Sequence, residues 1–208
     1  MTIVYRLGNK LYLNITNACS CDCIFCLRNH QDSVGDAESL WLERNPTLEE
    51  IKAAIDVWIF GDTPSVADEI VFCGYGEPMM RADDVIEISH YIKRKHSSSY
   101  EEPAPEVRLN TNGLAFLMCP GFDTERLSII DTVSISLTAD DAKEYMRLAR
   151  PHYGIESFES VLHFAREAKA YTRVVFSVVE GTISPQRIEN CKRIAQDIGV
   201  ELRVRGME

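Results

Sequence analysis

Residues 11–29 read LYLNITNACSCDCIFCLRN and hold four of the chain's seven cysteines within eight positions. Three of them, Cys19, Cys23 and Cys26, follow the spacing C-x3-C-x2-C, and Cys21 lies between them. The apolar run before them is typical of a β-strand, so the cysteines lie in a loop that leaves the end of a strand. Thiolates this close in one loop predict a metal centre, for which soft sulfur ligands favour zinc, Cu(I) or an iron–sulfur cluster.

The composition indicates one cytoplasmic domain. The 208 residues, 45% of them hydrophobic, suffice for a single domain with a full core, and we expect it to span residues 1–208. No apolar run reaches the roughly 18 residues of a membrane span, and the start MTIVYRLGNK lacks the apolar core of a signal peptide. In the cytoplasm, clustered cysteines more often bind metal or do chemistry than form disulfides. The net charge of −10 disfavours a nucleic-acid partner.

Strand and helix patterns alternate along the chain. Two strand-like segments separated by Gly8-Asn9 predict a hairpin, and the later alternation predicts a parallel sheet with helical crossovers. A closed eight-fold barrel typically needs about 250 residues. We therefore predict an α/β fold, a partial open (β/α)6 TIM-like barrel with an N-terminal β-hairpin. Strands are predicted at 2–6, 11–16, 69–73, 107–111, 132–137, 173–180 and 201–205, and helices from 47 and at 81–95, 124–130, 141–149, 157–170 and 184–199.

Glycine-rich or polar motifs end three of the predicted strands. GYGEP (74–78) follows one strand, NTNG (110–113) ends the next, and Ser136 lies near the end of the strand after that. In such folds ligands bind at the carboxyl ends of the strands, the same edge as the cysteine loop. Gly74 and Gly76 allow close approach to a ligand, and Glu77 offers an acceptor for an ammonium group. Taken singly, GYGEP would more often be an ordinary β-to-α turn and NTNG an Asn-Gly turn. Ser136 would more often be a core serine whose hydroxyl is hydrogen-bonded within the protein.

Together with these motifs, C-x3-C-x2-C resembles the signature of the radical S-adenosylmethionine (SAM) enzymes. That signature often carries an aromatic residue just before its last cysteine, here Phe25. The segments GNKLYLNITNAC, FCGYGEPMMR and LNTNG are most similar to the small radical SAM proteins associated with TatD-type nucleases. The resemblance runs over nearly the whole chain and implies an open partial barrel with two cofactors, a [4Fe–4S] cluster and SAM.

The resemblance also assigns residues to the two cofactors. It places the cluster on Cys19, Cys23 and Cys26, which leaves one iron open. The rival is a zinc site that also uses Cys21, but a structural zinc site normally consists of two short knuckles, and the sequence has no second one. We therefore expect Cys21 to be a spectator. The residues that the resemblance implies for SAM are Phe25, Gly74, Gly76, Glu77, Thr111, Asn112 and Ser136.

The reaction implied by the resemblance is reductive cleavage of SAM to a 5′-deoxyadenosyl radical, which takes hydrogen from a small-molecule substrate. It needs an external one-electron donor, such as a flavodoxin or ferredoxin, and suggests a functional link to a TatD-type nuclease. No side chain is predicted to act as a general acid or base. The alternatives are an activase that makes a glycyl radical on a partner protein and a non-enzymatic cysteine-rich metal-binding module, which would need neither GYGEP nor NTNG.

Several residues keep more than one interpretation. The segment 29–45 after the cysteines is long for a loop, and we expect it to cover a substrate. Cys73 and Cys119 near strand ends allow a redox role, whereas Cys191 lies on the inner face of a predicted helix and is expected in the core. Three further residues on the same rim are candidates for binding substrate or the SAM carboxylate, or for a surface or structural role: Arg150, Ser177 and Arg205.

Overall fold

Seven strands form a single sheet in the order β1 to β7. The computed structural model describes residues 1–31, 34–60, 67–99 and 104–206. Strand β1 (Val4–Leu7) runs antiparallel to β2 (Lys10–Leu13), which is the predicted hairpin. All further neighbours are parallel, so the six predicted parallel strands, which begin with the second strand of the hairpin, are confirmed. The other strands are β3 (Glu69–Phe72), β4 (Glu106–Thr111), β5 (Thr132–Ser136), β6 (Arg173–Val179) and β7 (Glu201–Arg205).

Helical segments connect the parallel strands. Two helix starts follow the local rules expected from the sequence. Thr47 and Glu50 form a capping box, with reciprocal bonds of 2.8 and 3.2 Å, and Ser184 caps a helix that has proline at its first turn. The helices are α1 (Leu48–Phe60), α2 (Ala82–Ser99), α3 (Ala115–Met118), α4 (Ala142–Ala149), α5 (Ser157–Ala168) and α6 (Pro185–Ile198). Short 3-10 turns occupy Leu27–Asn29, Pro78–Arg81, Thr124–Ile129 and Gly154–Glu156.

The main core lies between the sheet and the helices. Alternate strand residues such as Phe72, Leu109 and Phe176 are fully buried against helix residues such as Ile55 and Val161. Burial of each side chain of this size stabilises the folded protein by about 1.5–3 kcal/mol. The intervening strand residues point to the opposite side, which we call the inner face of the sheet.

A second, smaller apolar cluster covers part of the inner face. Tyr5 of β1 stacks on Tyr12 of β2 with ring centroids 5.2 Å apart. Ala37 and Leu40 pack on this pair together with Tyr75. The segment after the cysteine loop therefore lies over the β1–β2 side of the sheet. That the segment 29–45 covers a substrate stays a prediction, and residues 32–33 of it lie outside the described ranges.

One local prediction was wrong. Helix α2 continues to Ser99, past the predicted end at Lys95, where a polar loop was expected. The Ser97 hydroxyl donates to the Lys93 carbonyl at 2.9 Å, so this serine is bonded within the helix. The short helix predicted at 124–130 is present as a 3-10 helix, Thr124–Ile129, and the short helix α3 was not predicted. Residues 100–103 of the predicted loop lie outside the described ranges. Among the residues that are described, no helix is long and apolar enough to cross a membrane.

Candidate cofactor site

The cysteine loop begins after β2 and is hydrogen-bonded to the end of α4. The backbone amide of Asp22 donates to the Ala149 carbonyl at 3.1 Å, and that of Ile24 donates to Leu148 at 3.0 Å. Cys21 also forms an isolated β-bridge with Pro151. A distant helix end therefore holds the loop at the carboxyl edge of the sheet.

Burial separates the four clustered cysteines in two groups. Cys19, Cys23 and Cys26 are half-buried, whereas Cys21 is only 2% exposed and belongs to the main core. The Cys21 amide donates to the Cys19 sulfur at 3.4 Å, and hydrogen bonds of this kind tune iron–sulfur clusters. This division agrees with three ligands and one packed cysteine.

The clustered thiols differ in their pKa. Burial, with the nearby charge of Glu77, raises the pKa of Cys19 to about 11, and burial also raises the pKa of Cys26. The interaction between the neighbouring Cys21 and Cys23 thiols lowers the pKa of Cys23 and raises that of Cys21. Cys23 thus differs from the other three clustered cysteines in the direction of its pKa shift.

The donor set fits an iron–sulfur cluster better than a hard cation. Three half-buried thiols at one loop are soft ligands, and soft ligands select iron–sulfur, zinc or Cu(I). Within the described ranges, no three His, Cys, Asp or Glu side chains lie close enough to hold a metal ion as they stand.

Glu77 is buried and connects three segments of the site. Its Oε1 accepts from the Met79 amide at 2.9 Å and from the Thr111 hydroxyl at 2.8 Å. Its Oε2 accepts from the Asn112 amide at 2.7 Å, and its own amide donates to Ala18 in the cysteine loop at 2.8 Å. Burial raises the pKa of Glu77 to about 7, although these hydrogen bonds act in the opposite direction. The carboxylate thus fixes the arrangement of the protein's own segments.

Asn112 extends this network into the cysteine loop. Its Nδ2 donates to the Ser20 hydroxyl at 2.9 Å and contacts the Cys21 sulfur at 3.6 Å. Its Oδ1 accepts from the Leu114 amide at 3.0 Å. The predicted residues Glu77, Thr111 and Asn112 are therefore brought together with the cysteine loop in one hydrogen-bonded unit.

The two glycines of GYGEP are required by contacts within the protein. A Cβ at Gly74 would lie 2.1 Å from Oδ1 of Asn14, and a Cβ at Gly76 would lie 2.2 Å from the Thr16 carbonyl and 2.8 Å from that of Ala18. Real Cβ atoms do not approach other atoms this closely. Glycine here lets the GYGEP turn pack directly on the start of the cysteine loop, in addition to any contact with a ligand.

Ser136 and Phe25 stand apart from this network. Ser136 ends β5, is half-buried on the inner face and pairs in register with Ser177 of β6. Phe25 is half-buried and packs against the edge of the main core. Their roles toward SAM stay predictions.

The other candidate residues fall at different places. Cys191 is fully buried in the core, as expected. Cys73 directly follows β3, where burial raises its pKa. Cys119 ends α3, and its sulfur contacts the Met79 carbonyl at 3.5 Å. Arg150 ends α4 in a left-handed conformation and lies 3.7 Å from Asp22 of the cysteine loop.

Sequence reasoning missed the residues that support the loop. Asn14 donates to the Leu40 carbonyl at 2.7 Å, and Asn17 exchanges bonds of 2.7 and 3.0 Å with Leu42. Two asparagines at the end of an apolar strand could have signalled such support. Tyr145 of α4 is fully buried close to Cys21, but no local pattern points to it.

The match to a protein family covers most of the chain. A model of the radical SAM superfamily matches residues 13–198. The chain belongs to this superfamily. The predicted cofactors, a [4Fe–4S] cluster and SAM, are those that the superfamily uses. Among curated protein sequences no match was found.

Solved structures share the fold over nearly the whole chain. TYW1 with a lysine-pyruvate adduct bound has a TM-score of 0.60 and 17% identity, covering 95% of this chain and 64% of that one. Streptococcus suis SuiB bound to precursor peptide SuiA has a TM-score of 0.66 and 14% identity, covering 99% and 40%. Native anSMEcpe with bound AdoMet has a TM-score of 0.63 and 17% identity, covering 95% and 50%. The chain thus spans 40–64% of the length of these proteins and shares their partial barrel.

Proposed function

We propose that this chain cleaves SAM at a [4Fe–4S] cluster held by Cys19, Cys23 and Cys26, and that it acts on a small molecule. One observation carries this proposal. The cysteine loop, the GYGEP turn and the NTNG turn, which come from three strand ends, are joined by hydrogen bonds through Glu77 and Asn112. Such a unit holds a cluster and an adjacent ligand at fixed positions, as cofactor chemistry requires.

The chemistry that the two cofactors supply when bound is reductive cleavage of SAM to methionine and a 5′-deoxyadenosyl radical that abstracts hydrogen from the substrate. The protein's own part is to bind and orient. Cys19, Cys23 and Cys26 would hold the cluster as thiolates and leave one iron for SAM. The GYGEP turn, with Gly74, Gly76 and Glu77, would bind the methionine amino group, and Thr111 and Asn112 fix that turn through their hydrogen bonds to Glu77.

Two further residues complete the proposed SAM site. Ser136 offers a hydroxyl to the carboxylate or the ribose of SAM from the inner face of β5. A buried hydroxyl needs a polar partner, and SAM would supply one. Phe25 provides an apolar surface for the adenine next to the last cysteine.

The electron comes from an external donor of the flavodoxin or ferredoxin type. The only other partner that we propose is a functional link to a TatD-type nuclease, which the sequence resemblance supports. A cytoplasmic location, supported by the cysteine usage, would give the cluster access to such donors. Dithionite can replace the natural donor in the assays below.

A peptide substrate is the second candidate. Among the structures with the same fold, SuiB holds a precursor peptide and anSMEcpe holds the Kp18Cys peptide. A small molecule is favoured because the segment with Ala37 and Leu40 already fills the β1–β2 side of the inner face. An activase function would require a whole protein partner, and no feature described above favours it.

Reconstitution of the cluster tests the ligand assignment. Anaerobically reconstituted protein should contain about four irons and four sulfides per chain. Cys19→Ala, Cys23→Ala and Cys26→Ala should each lose the cluster and its absorption. Cys21→Ala is the matched control, since it removes a thiol from the same loop, and it should keep iron. Loss of iron in Cys21→Ala, or tight binding of zinc alone by the wild type, would refute the assignment.

A further inference from the structure

The inner face is divided into a covered part and an open part. The smaller apolar cluster, which includes Tyr5, Tyr12 and Ala37, covers the β1–β2 side. On the β5–β7 side the inner face carries Ser136, which is half-buried, and Ser177, which is 6% exposed. Polar side chains thus line the side of the sheet that the covering segment leaves open.

Two arginines of β7 belong to the same open part. The register pairs Ser177 with Arg203 and Val179 with Arg205. Leu202, the residue before Arg203, packs on the main core, so by alternation Arg203 and Arg205 point to the inner face. Arg203 is the middle residue of β7, and Arg205 is its last residue, at the edge where the cysteine loop lies.

Arg205 is half-buried, whereas Arg203 is exposed. Burial raises the pKa of the Cys73 thiol, and the charges of Arg205 and Arg108 act against this rise. The charge of Arg205 is therefore felt at the end of β3, where the GYGEP turn begins.

The charges at the two ends of the inner face are balanced differently. At the amino-terminal end, Lys10 and Arg108 share Glu69 at 2.6 and 3.3 Å, and Arg173 pairs with Glu201 at 2.7 Å. At the carboxyl end, no carboxylate of the described residues forms an ion pair with the two β7 arginines. In a chain of net charge −10, the inner face of β7 thus carries two arginines that form no ion pair within the described ranges.

We propose that the substrate is a small organic anion whose carboxylate or phosphate group binds Arg203 and Arg205. Arginine presents a planar fork of donors that matches both groups. Ser177, in register with Arg203, supplies a hydroxyl beside them. The anion then lies at the β6–β7 end of the inner face, with the rest of the substrate directed toward Ser136 and the cofactors. This inference rests on the proposed function, since it names the substrate class for that site.

Binding of simple anions to reconstituted, SAM-loaded protein tests the proposal. The probes are phenyl phosphate and benzoate, with benzyl alcohol as the neutral counterpart, measured by calorimetry at constant ionic strength. The wild type should bind the anions and not the alcohol, and the preferred anion identifies the group. The double variant R203Q/R205Q should lower anion affinity about tenfold or more, which is the loss expected for a charged hydrogen-bonding partner. The control is R173Q, because Arg173 lies on the same face but at the other end.

Three results would overturn the proposal. Equal anion affinity in the wild type and R203Q/R205Q would show that the arginines do not bind the anion. Equal losses in R173Q would show a general charge effect. A tenfold loss of SAM affinity in R203Q/R205Q without a change in anion affinity would assign the arginines to the SAM carboxylate. Failure of the wild type to cleave SAM would instead refute the proposed function, and it is measured separately from these affinities.

Discussion

The two halves of the sheet differ in what holds the carboxyl ends of their strands in place. On the β2–β4 side, the strand ends and the cysteine loop are joined by direct hydrogen bonds through Glu77 and Asn112. On the β5–β7 side, the strands are held by the helix-packed core, and their inner face presents Ser136, Arg203 and Arg205. One half is organised before any ligand binds, and the other is left available for one.

This difference has a physical rationale. A cofactor that is the same in every turnover benefits from a fixed site, because the binding residues are already ordered by folding and lose no further conformational entropy when the cofactor binds. A substrate must enter and leave, so its contacts are placed on strands whose stability comes from elsewhere. Variants on the two sides should therefore differ in kind: those at the β2–β4 edge should affect folding, and those at the β5–β7 edge should affect binding.

The largest effect is expected at Gly76. In Gly76→Ala the new methyl group would lie 2.2 Å from the Thr16 carbonyl, and the backbone of the cysteine loop would have to move away. Overpacking against backbone should destabilise the protein by about 3 kcal/mol or more. Gly206→Ala is the matched control, because a Cβ there meets nothing within 4 Å. Chemical denaturation of both variants measures the difference, and equal stabilities would show that the turn and the loop do not pack as described.

Glu77 should make the stability of the cofactor-free protein depend on pH. Burial raises its pKa in the folded chain from 4.5 to about 7. Between these values the folded chain keeps a proton that the unfolded chain has released, so stability falls as the pH rises. The contribution is fully present below about pH 4.5 and is lost through pH 7, a difference of about 3 kcal/mol.

Glu77→Gln isolates this contribution, because it keeps the shape of the side chain but does not titrate. The difference in unfolding free energy between the wild type and Glu77→Gln should change across this window. A difference that is constant from pH 4.5 to 8 would mean that Glu77 is already ionised in the folded chain.

The smallest effect is expected at Ser136, on the other half of the sheet. Ser136→Ala should leave the unfolding free energy within about 0.5 kcal/mol and weaken SAM binding by roughly three- to tenfold, the loss of one hydrogen bond. Ser134→Ala changes the residue two positions earlier on the same face and should leave SAM affinity unchanged. SAM titrations of the reconstituted proteins measure this, and equal affinities of the two variants would remove Ser136 from the SAM site.

The sequence was sufficient for the fold and for the positions of the motifs. Alternating patterns and local caps at Thr47 and Ser184 act over a few residues, so they are visible in the sequence itself. The hairpin, six parallel strands and most helices were accordingly confirmed. The end of α2 was misplaced, since the hydrogen bond that Ser97 forms within the helix is not visible in the composition.

The sequence could not show how the motifs are connected. Glu77 was expected to bind a ligand, and its hydrogen bonds to Asn112 and Ala18 depend on where three separate segments meet. The attachment of the cysteine loop at Leu148 and Ala149 likewise joins residues far apart in the chain. Contacts of this kind leave no local pattern, so only the folded structure reveals them.

Product analysis of SAM tests the central claim most directly. Reconstituted protein is incubated anaerobically with SAM and dithionite, and 5′-deoxyadenosine and methionine are measured against Cys23→Ala as control. We expect both products in the wild type and neither in the variant. A wild-type protein that contains about four irons and four sulfides yet forms no 5′-deoxyadenosine would contradict the assignment of the β2–β4 edge as a SAM-cleaving site.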